Sequence, residues 1–317
     1  MRVGVDIGGT KTDAVVIDET GSILHQLRVA TGFGAASVLE TTATVVGALA
    51  HSLQVPIAGF ESVGVGVPGA VDSARGRVSH AVNLGVDEFE LGTELGRMLD
   101  LPVHVENDVN AAALGAFHLL DLPPLASMAF LNLGTGLAAG LVLQGTLWRG
   151  ARGTAGEIGH IPVDPNGPLC RCGQRGCLEM VASGSAISRQ WPSDAASPAQ
   201  ALFAAAEAGE LLAIDVRRRF LENVASAVRI LVLSVDVETV VIGGGICSLG
   251  DPLLAGLRAV IDGWSAESPF LASLRLAERV RLVPPGVSVS AVGAAFAGAV
   301  PQSTTPTTKG TDRWPRL

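Results

Sequence analysis

Residues 2–7, Arg2-Val3-Gly4-Val5-Asp6-Ile7, are small and branched apolar side chains around one acid, and they predict a buried strand. Gly8-Gly9-Thr10 breaks the run, 11–17 resumes it, Glu19-Thr20-Gly21 breaks it again, and 23–30 gives a third strand. Apolar positions at helical spacing follow over 38–52. A short apolar strand, 62–67, stops at Pro68-Gly69. Residues 90–99 predict a helix, 102–105 a strand, and the alanine-rich run 109–119 a helix that starts directly after Glu106-Asn107-Asp108.

The opening pattern then recurs. Residues 129–133 predict a strand, Gly134-Thr135-Gly136 a turn, 137–143 a strand, Gln144-Gly145 a turn and 146–148 a strand. Gly134 falls where Gly8 fell, and Val142 where Val16 fell. Strand 237–242 runs into Gly243-Gly244-Gly245, echoing the approach to Gly69. Helices are predicted over 197–208, 211–233, 252–261, 265–276 and 290–299, with a strand over 280–283. The chain therefore reads as two copies of one α/β unit. Two units with facing glycine turns enclose a cleft, a favoured place for ligands.

Composition narrows the picture. In 317 residues, 48% are apolar and 16% charged, which provides for two domains and a large buried core. The net charge of −8, with no basic block, argues against nucleic acid as a partner. No uncharged apolar stretch of about 18 residues is present, so no membrane span is expected. Met1 leads straight into the first strand with no signal peptide, which gives a cytoplasmic expectation. Trp148, Trp191 and Trp264 read as packing residues, since no basic side chains interleave with them. The Thr-, Pro- and Ser-rich tail 301–317 is expected to be disordered.

The densest chemistry lies between Gly156-Glu157-Ile158-Gly159-His160 and Cys170-Arg171-Cys172-Gly173-Gln174-Arg175-Gly176-Cys177-Leu178-Glu179. This stretch holds three of the four cysteines. Three thiolates and an imidazole complete a tetrahedral Zn²⁺ shell with no open position, which is a structural rather than a catalytic arrangement. A disulfide or free buried thiols are the alternatives; a cytoplasmic chain disfavours the first. If one nitrogen of His160 binds metal, the other faces away from it. Glu157 and Glu179, flanking the shell, would be held at fixed places beside the zinc, and the two carboxylates with the imidazole N–H suit a ring of hydroxyls. Alone, either glutamate is as readily a solvated loop residue.

Two other clusters carry candidate roles. Asp6 stands at the lip of the first turn, where bare backbone at Gly8 and Gly9 can approach a phosphate, with the Thr10 hydroxyl and the Lys11 charge beside it. Most glycine hairpins are only turns. Asp108 sits where a strand ends and a helix starts, so a helix cap accounts for one of Asn107 and Asp108 but not for both.

Taken together, Asp6-Ile7-Gly8-Gly9-Thr10-Lys11, Glu106-Asn107-Asp108, Leu133-Gly134-Thr135-Gly136, Gly156 to His160, Cys170 to Glu179 and Gly243-Gly244-Gly245 resemble the ROK family of bacterial sugar kinases, within the actin, Hsp70 and hexokinase superfamily. The resemblance covers roughly residues 1–300. It implies two ribonuclease H-like α/β domains, of the actin-like ATPase kind, around a central cleft: 1–108 with about 290–300, and 109–289 with the zinc loop. It implies ATP-dependent phosphorylation of the 6-hydroxyl of an aldohexose, glucose first, with Asp108 as the general base. N-acetylglucosamine or N-acetylmannosamine kinase and fructokinase are the alternatives, and a non-catalytic sugar-binding regulatory protein the non-enzyme one.

By the same resemblance, Gly69, Asn107, Asp108, Glu157, His160 and Glu179 contact the sugar. Asp6, Gly8, Gly9, Thr10, Lys11, Gly134, Thr135, Gly136, Gly243, Gly244 and Gly245 contact ATP, with Mg²⁺ near Asp6. His160, Cys170, Cys172 and Cys177 hold structural Zn²⁺. A homo-oligomer, dimer or tetramer, is implied too. Polyphosphate as donor is disfavoured by the lack of a basic track. Ala138 replaces a glycine of many relatives. The stretch Gly85-Val86-Asp87-Glu88-Phe89 lacks the tryptophan of family glucokinases, which leaves the sugar open. Repressors of the family carry a helix-turn-helix before the first strand, and here Met1 begins that strand.

Overall fold

Strands β1 (Arg2–Ile7), β2 (Lys11–Ile17) and β3 (Ile23–Ala30) form the predicted meander. Helix α1 (Ala35–Ser52) follows, then β4 (Val63–Val67), β5 (Ala70–Asp72), β6 (Arg77–Ala81) and β7 (Val86–Phe89). Helix α2 (Leu91–Leu99), β8 (Val103–Asn107) and α3 (Asp108–Leu119) complete the first half. The second half contains β9 (Met128–Leu133), β10 (Leu137–Leu143), β11 (Thr146–Trp148), α4 (Gly184–Gln190), α5 (Pro198–Glu207) and α6 (Leu211–Val235). It continues through β12 (Thr239–Gly243), α7 (Asp251–Glu267), α8 (Pro269–Leu274), α9 (Leu276–Arg279), β13 (Val280–Leu282) and α10 (Val289–Ala297). This computed structural model describes residues 1–298, so the expected disorder of 301–317 and the last residue of the 290–299 helix lie outside the described residues.

The duplication read from the sequence is present strand for strand. One five-stranded sheet has the order β3-β2-β1-β4-β8 and the other β11-β10-β9-β12-β13. In both, the first strand of the meander pairs antiparallel with the second and parallel with the next strand of the sheet. All five residues of β4 and all five of β12 are buried, as expected of central strands covered on both faces.

Two helices join the halves by close backbone approach. A Cβ on Gly115 of α3 would lie 1.9 Å from the Val289 carbonyl oxygen, and one on Gly293 of α10 would lie 1.7 Å from that of Ala111. α10 also crosses β1 and β4 where Gly4 and Gly64 leave room for it. α3 in turn packs on β9 and β10 of the second sheet. The helix that begins at Asp108 therefore touches both sheets, and its first turn opens on the space between them.

Three local expectations change. The predicted break at 262–264 is absent, and α7 runs on to Glu267. The true break is Ser268-Pro269, where Pro269 lacks an N–H and the Ser268 hydroxyl accepts from the Leu271 N–H at 3.3 Å, a start signal for α8. The small sheet β5-β6-β7 was not expected, because its strands are short and His80 takes a left-handed φ of 57° within β6, interrupting the alternation. Trp148 is not a packing residue: it is 54% exposed on the edge strand β11. Among the described residues no helix is long and apolar enough to cross a membrane.

Candidate functional site

The site grows from the corner between β8 and α3. Asn107 is the cap: its Oδ1 accepts from the N–H groups of Val109 at 2.9 Å and Asn110 at 3.2 Å, while its Nδ2 donates to the Gly69 carbonyl at 3.3 Å. That resolves the choice between Asn107 and Asp108. With the cap taken, Asp108 is the first helical residue and its carboxylate, which accepts from the Val109 N–H at 3.0 Å, lines the cleft. Burial pushes Asp108 above the usual carboxylate range, its bond to Val109 opposes this, and the nearby Glu157 carboxylate adds to it.

Asp6, at the end of β1, faces the same space. A cavity of about 410 Å³ is lined by Asp6, Asp13, Arg28, Asp108, Asn132, Gly244, Gly245 and Ser290 among others, so it opens between the two sheets. Burial raises Asp6 from 3.8 to about 7; the Asp108 carboxylate adds to this and a bond from Ser290 opposes it. A buried carboxylate raised by a second carboxylate favours a cation or a proton beside it.

Gly244 and Gly245 line this cavity, and the two glycine hairpin turns follow the ends of β1 and β9. Gly8 N–H donates to the Lys11 carbonyl at 2.9 Å, closing the Gly8-Gly9-Thr10 turn, and the Thr10 carbonyl accepts from the Thr31 N–H at 3.1 Å. In the second turn Gly134 N–H donates to the Gly136 carbonyl at 3.1 Å. The carbonyls of Gly134 and Thr135 accept from Gly184 and Ser185, the first residues of α4. Gly244 has a φ of 85°, and a Cβ there would lie 2.5 Å from the Leu133 carbonyl oxygen, so the triple glycine presses on the end of β9. Gly243 faces Phe130 and Val283, on the far side from Gly245, which borders open space.

The cysteine loop assembles as one cluster. One ligand atom from each of His160, Cys170, Cys172 and Cys177 lies within 4.8 Å of every other. His160 Nδ1 is 3.7 Å from Cys170 Sγ, and Cys172 Sγ is 3.6 Å from Cys177 Sγ. Tetrahedral bonds of about 2.3 Å to sulfur imply edges of about 3.7 Å, so the set fits zinc. The four cysteines are free. Burial and the neighbouring Cys172 and Cys170 sulfurs push the Cys177 thiol up to about 12. His160 Nε2 points the other way, 4.0 Å from Glu157 Oε2. Glu179 is brought to a different neighbour: its Oε2 accepts from the Leu137 N–H at 3.0 Å, and a Cβ on Gly136 would lie 2.5 Å from that oxygen. Glu179 thus ties the cysteine loop to the second glycine turn.

Several residues in this region carried no role in the sequence reading. Asn132 was legible as a polar residue in an otherwise apolar strand ahead of Gly134. Asp13 and Arg28 face each other across β2 and β3, joined by bonds of 2.5 and 3.0 Å, a pairing that the meander register predicts. Ser290 Oγ donates to the Asp108 carbonyl at 3.1 Å, and nothing local in the sequence indicated it.

The profile of the family described as ROK matches residues 2–296. The chain is 32% identical over 287 residues to a glucokinase of Halalkalibacterium halodurans, covering 83% of this chain and 86% of that one. It is 32% identical over 273 residues to an N-acetylmannosamine kinase of Haemophilus influenzae, covering 85% and 87%. Among solved structures it is similar to a ROK family glucokinase from Streptomyces griseus in complex with glucose and AMPPNP, with a TM-score of 0.74, 31% identity, and coverage of 93% and 98%. The paired sheets, the cleft between them and the clustered cysteines accord with these matches, and the chain belongs to the ROK family.

Proposed function

We propose that the protein transfers the γ-phosphoryl group of ATP to the primary hydroxyl of an aldohexose, with glucose as the leading substrate. Sugar phosphotransferase activity is supported by the family and its glucokinase relatives. The observation that carries this reading is Asp108: a buried carboxylate, raised in basicity, freed from capping by Asn107, and lining a cleft together with Asp6, Gly244 and Gly245. As the hydroxyl oxygen bonds to the γ-phosphorus, its proton passes to an Asp108 carboxylate oxygen and the bond to the bridging oxygen breaks, releasing ADP. Asn107, Glu157, His160 Nε2, Glu179 and the Gly69 segment orient the sugar. The two glycine turns, Gly8 to Lys11 and Gly134 to Gly136, receive the phosphates through N–H groups other than those of Gly8 and Gly134, which close the turns, and Gly243 to Gly245 receive the adenosine side.

Mg²⁺ would neutralise phosphate charge there, and Asp6 is the residue placed to hold its hydration shell. Zn²⁺ at His160, Cys170, Cys172 and Cys177 shapes the sugar side without taking part in the transfer. Free thiols and an ATP requirement both suit the cytoplasm. N-acetylmannosamine is the second substrate reading, favoured by the N-acetylmannosamine kinase relative. The test is ADP release from ATP and Mg²⁺ against glucose, mannose, fructose, N-acetylglucosamine and N-acetylmannosamine. Glucose giving the highest kcat/KM supports the reading; a higher value for N-acetylmannosamine replaces it, and silence across the panel sinks it.

Asp6 carries a separate expectation. Its pKa in the folded chain lies above the unfolded value, so between about 4 and about 7 the folded state binds the extra proton, and stability falls as pH rises through that window. A displacement from 3.8 to about 7 corresponds to about 4 kcal/mol, less for a side chain that keeps contact with cavity water. Asp6→Asn is therefore expected to raise the Tm at pH 8 by roughly 5 °C, from about 2 kcal/mol. The gain should vanish near pH 4, and phosphorylation should fall at least about a hundredfold. Thermal melts at both pH values, with assays at saturating Mg²⁺, check both; unchanged kcat would remove Asp6 from the metal site.

A further inference from the structure

Glu106 is a buried carboxylate, its side chain 3% exposed, one residue from the Asn107 cap and two from Asp108. Every lone-pair direction is used. Its Oε1 accepts from the Asn107 N–H and from Asn110 Nδ2, each at 3.0 Å. Its Oε2 accepts from Ser73 Oγ at 3.3 Å, beyond the end of β5, and from Arg149 Nε at 2.8 Å and Nη2 at 2.6 Å. The first three donors belong to the first half of the chain. Arg149 belongs to the second, directly after β11.

Arg149 is also the start of a closed loop. Its carbonyl accepts from the Ala155 N–H at 3.2 Å, and the Gly156 carbonyl accepts from the Ala139 N–H at 2.8 Å on β10. Glu157 comes next, and His160 closes the following turn. A continuous path thus runs from the first turn of α3, through the Glu106 carboxylate and the Arg149 guanidinium, to the loop that presents Glu157 and His160. A cavity of about 480 Å³ lies over it, lined by Asp72, Ser73, Arg77, Ser79, Arg149 and Arg152 among others.

We infer that Glu106 and Arg149 are positioning residues that lock the Asp108 corner to the sugar-holding loop across the cleft, so that the acceptor hydroxyl meets the base. This rests on the proposed sugar site. The physics favours a coupling role over a stabilising one. A buried carboxylate already bonded by Asn107, Asn110 and Ser73 takes its cationic partner, Arg149, from the other half of the chain. Arg149, whose side chain is 42% exposed, can be solvated when released. A displacement of about 1 Å between base and acceptor costs up to about a hundredfold in rate, so a small loosening is readable in kinetics.

The experiment compares Arg149→Met, Arg149→Lys, Glu106→Gln and the double variant Glu106→Gln/Arg149→Met in the full chain. With glucose as the probe, Arg149→Met is expected to raise the sugar KM about tenfold and to lower kcat about tenfold, with the ATP KM within about twofold. Arg149→Lys should recover part of both, because it keeps the charge but loses the fork. The double variant should be no worse than the worse single one. Hydrogen exchange on the free protein gives a readout that needs no sugar: Arg149→Met should speed exchange both at Ala155 and at Val109 and Asn110, across the cleft. The inference is overturned if exchange rises only around residue 149, if the two substitutions add, or if the ATP KM rises as much as the sugar KM. Its failure is distinct from that of the base assignment, which Asp108→Asn tests through kcat at unchanged sugar affinity.

Discussion

Asp108→Asn is expected to lower kcat for sugar phosphorylation about a thousandfold while sugar affinity stays within about threefold. A positioned general base contributes about 10² to 10⁴ in rate, and the buried, basicity-raised carboxylate of Asp108 belongs toward the upper part of that range. The replacement is nearly isosteric, and the helix start survives it, because the cap is Asn107 and not Asp108. Removing the charge also relieves its repulsion with Asp6, so the variant should melt no lower than the parent. Stability and turnover would then move in opposite directions, the signature of a group held for chemistry. In the parent chain, kcat should fall as the medium is acidified through the raised pKa of Asp108, because the protonated acid cannot accept the hydroxyl proton. Steady-state kinetics with direct measurement of sugar binding checks each part. Turnover within tenfold of the parent would remove Asp108 as the base.

Much of this site was legible in the sequence because its parts are local. The strand-turn-strand units at Asp6 to Lys11 and Leu133 to Gly136, the Glu106-Asn107-Asp108 junction and the cysteine loop each declare themselves within a few residues. The repeat of the meander predicted two sheets, and both have the same strand order. What was not legible depends on three-dimensional neighbours. The bond from Ser290 to the Asp108 carbonyl joins residues 182 positions apart. The bonds from Arg149 cross 43 positions, and neither residue stands out by spacing. The bond that Glu179 accepts from the Leu137 N–H, 42 positions away, was equally out of reach of local spacing. The sheet β5-β6-β7 escaped because three short strands with mixed polarity lack a period long enough to read. Helix α7 was cut short because Gly263 reads as punctuation in a sequence, although an exposed helix tolerates it at a cost of about 1 kcal/mol.

Cys177→Ser is the second substitution with a large expected effect, and its reason lies in what the surrounding loop lacks. Between residues 161 and 175 only Gly167 and Cys170 are buried; the rest of the segment is exposed or partly so. Hydrophobic burial of that extent cannot offset about 1 to 2 kcal/mol of backbone entropy per ordered residue. Two isolated bridges, Pro162 with Cys177 and Leu169 with Arg175, give the loop little more. A tetrahedral metal shell supplies the missing order, since metal binding free energy becomes folding free energy in such segments. Cys177 is wholly buried at the hub of the cluster, and serine there removes a thiolate that no solvent ligand can replace in the same geometry. The variant is expected to retain less than about a tenth of the zinc and to lose sugar affinity at least about a hundredfold, because Glu157 and His160 are carried by the same loop. ATP should be affected less, by several-fold, and through one route: the Glu179 carboxylate steadies the second glycine turn at Leu137, while the first turn, Gly8 to Lys11, sits on the other sheet. Metal analysis, sugar titration and ATP titration on one preparation separate these effects. Stoichiometric zinc in the variant would overturn the ligand set, and intact sugar affinity in a zinc-free protein would show that the loop holds its glutamates without the metal.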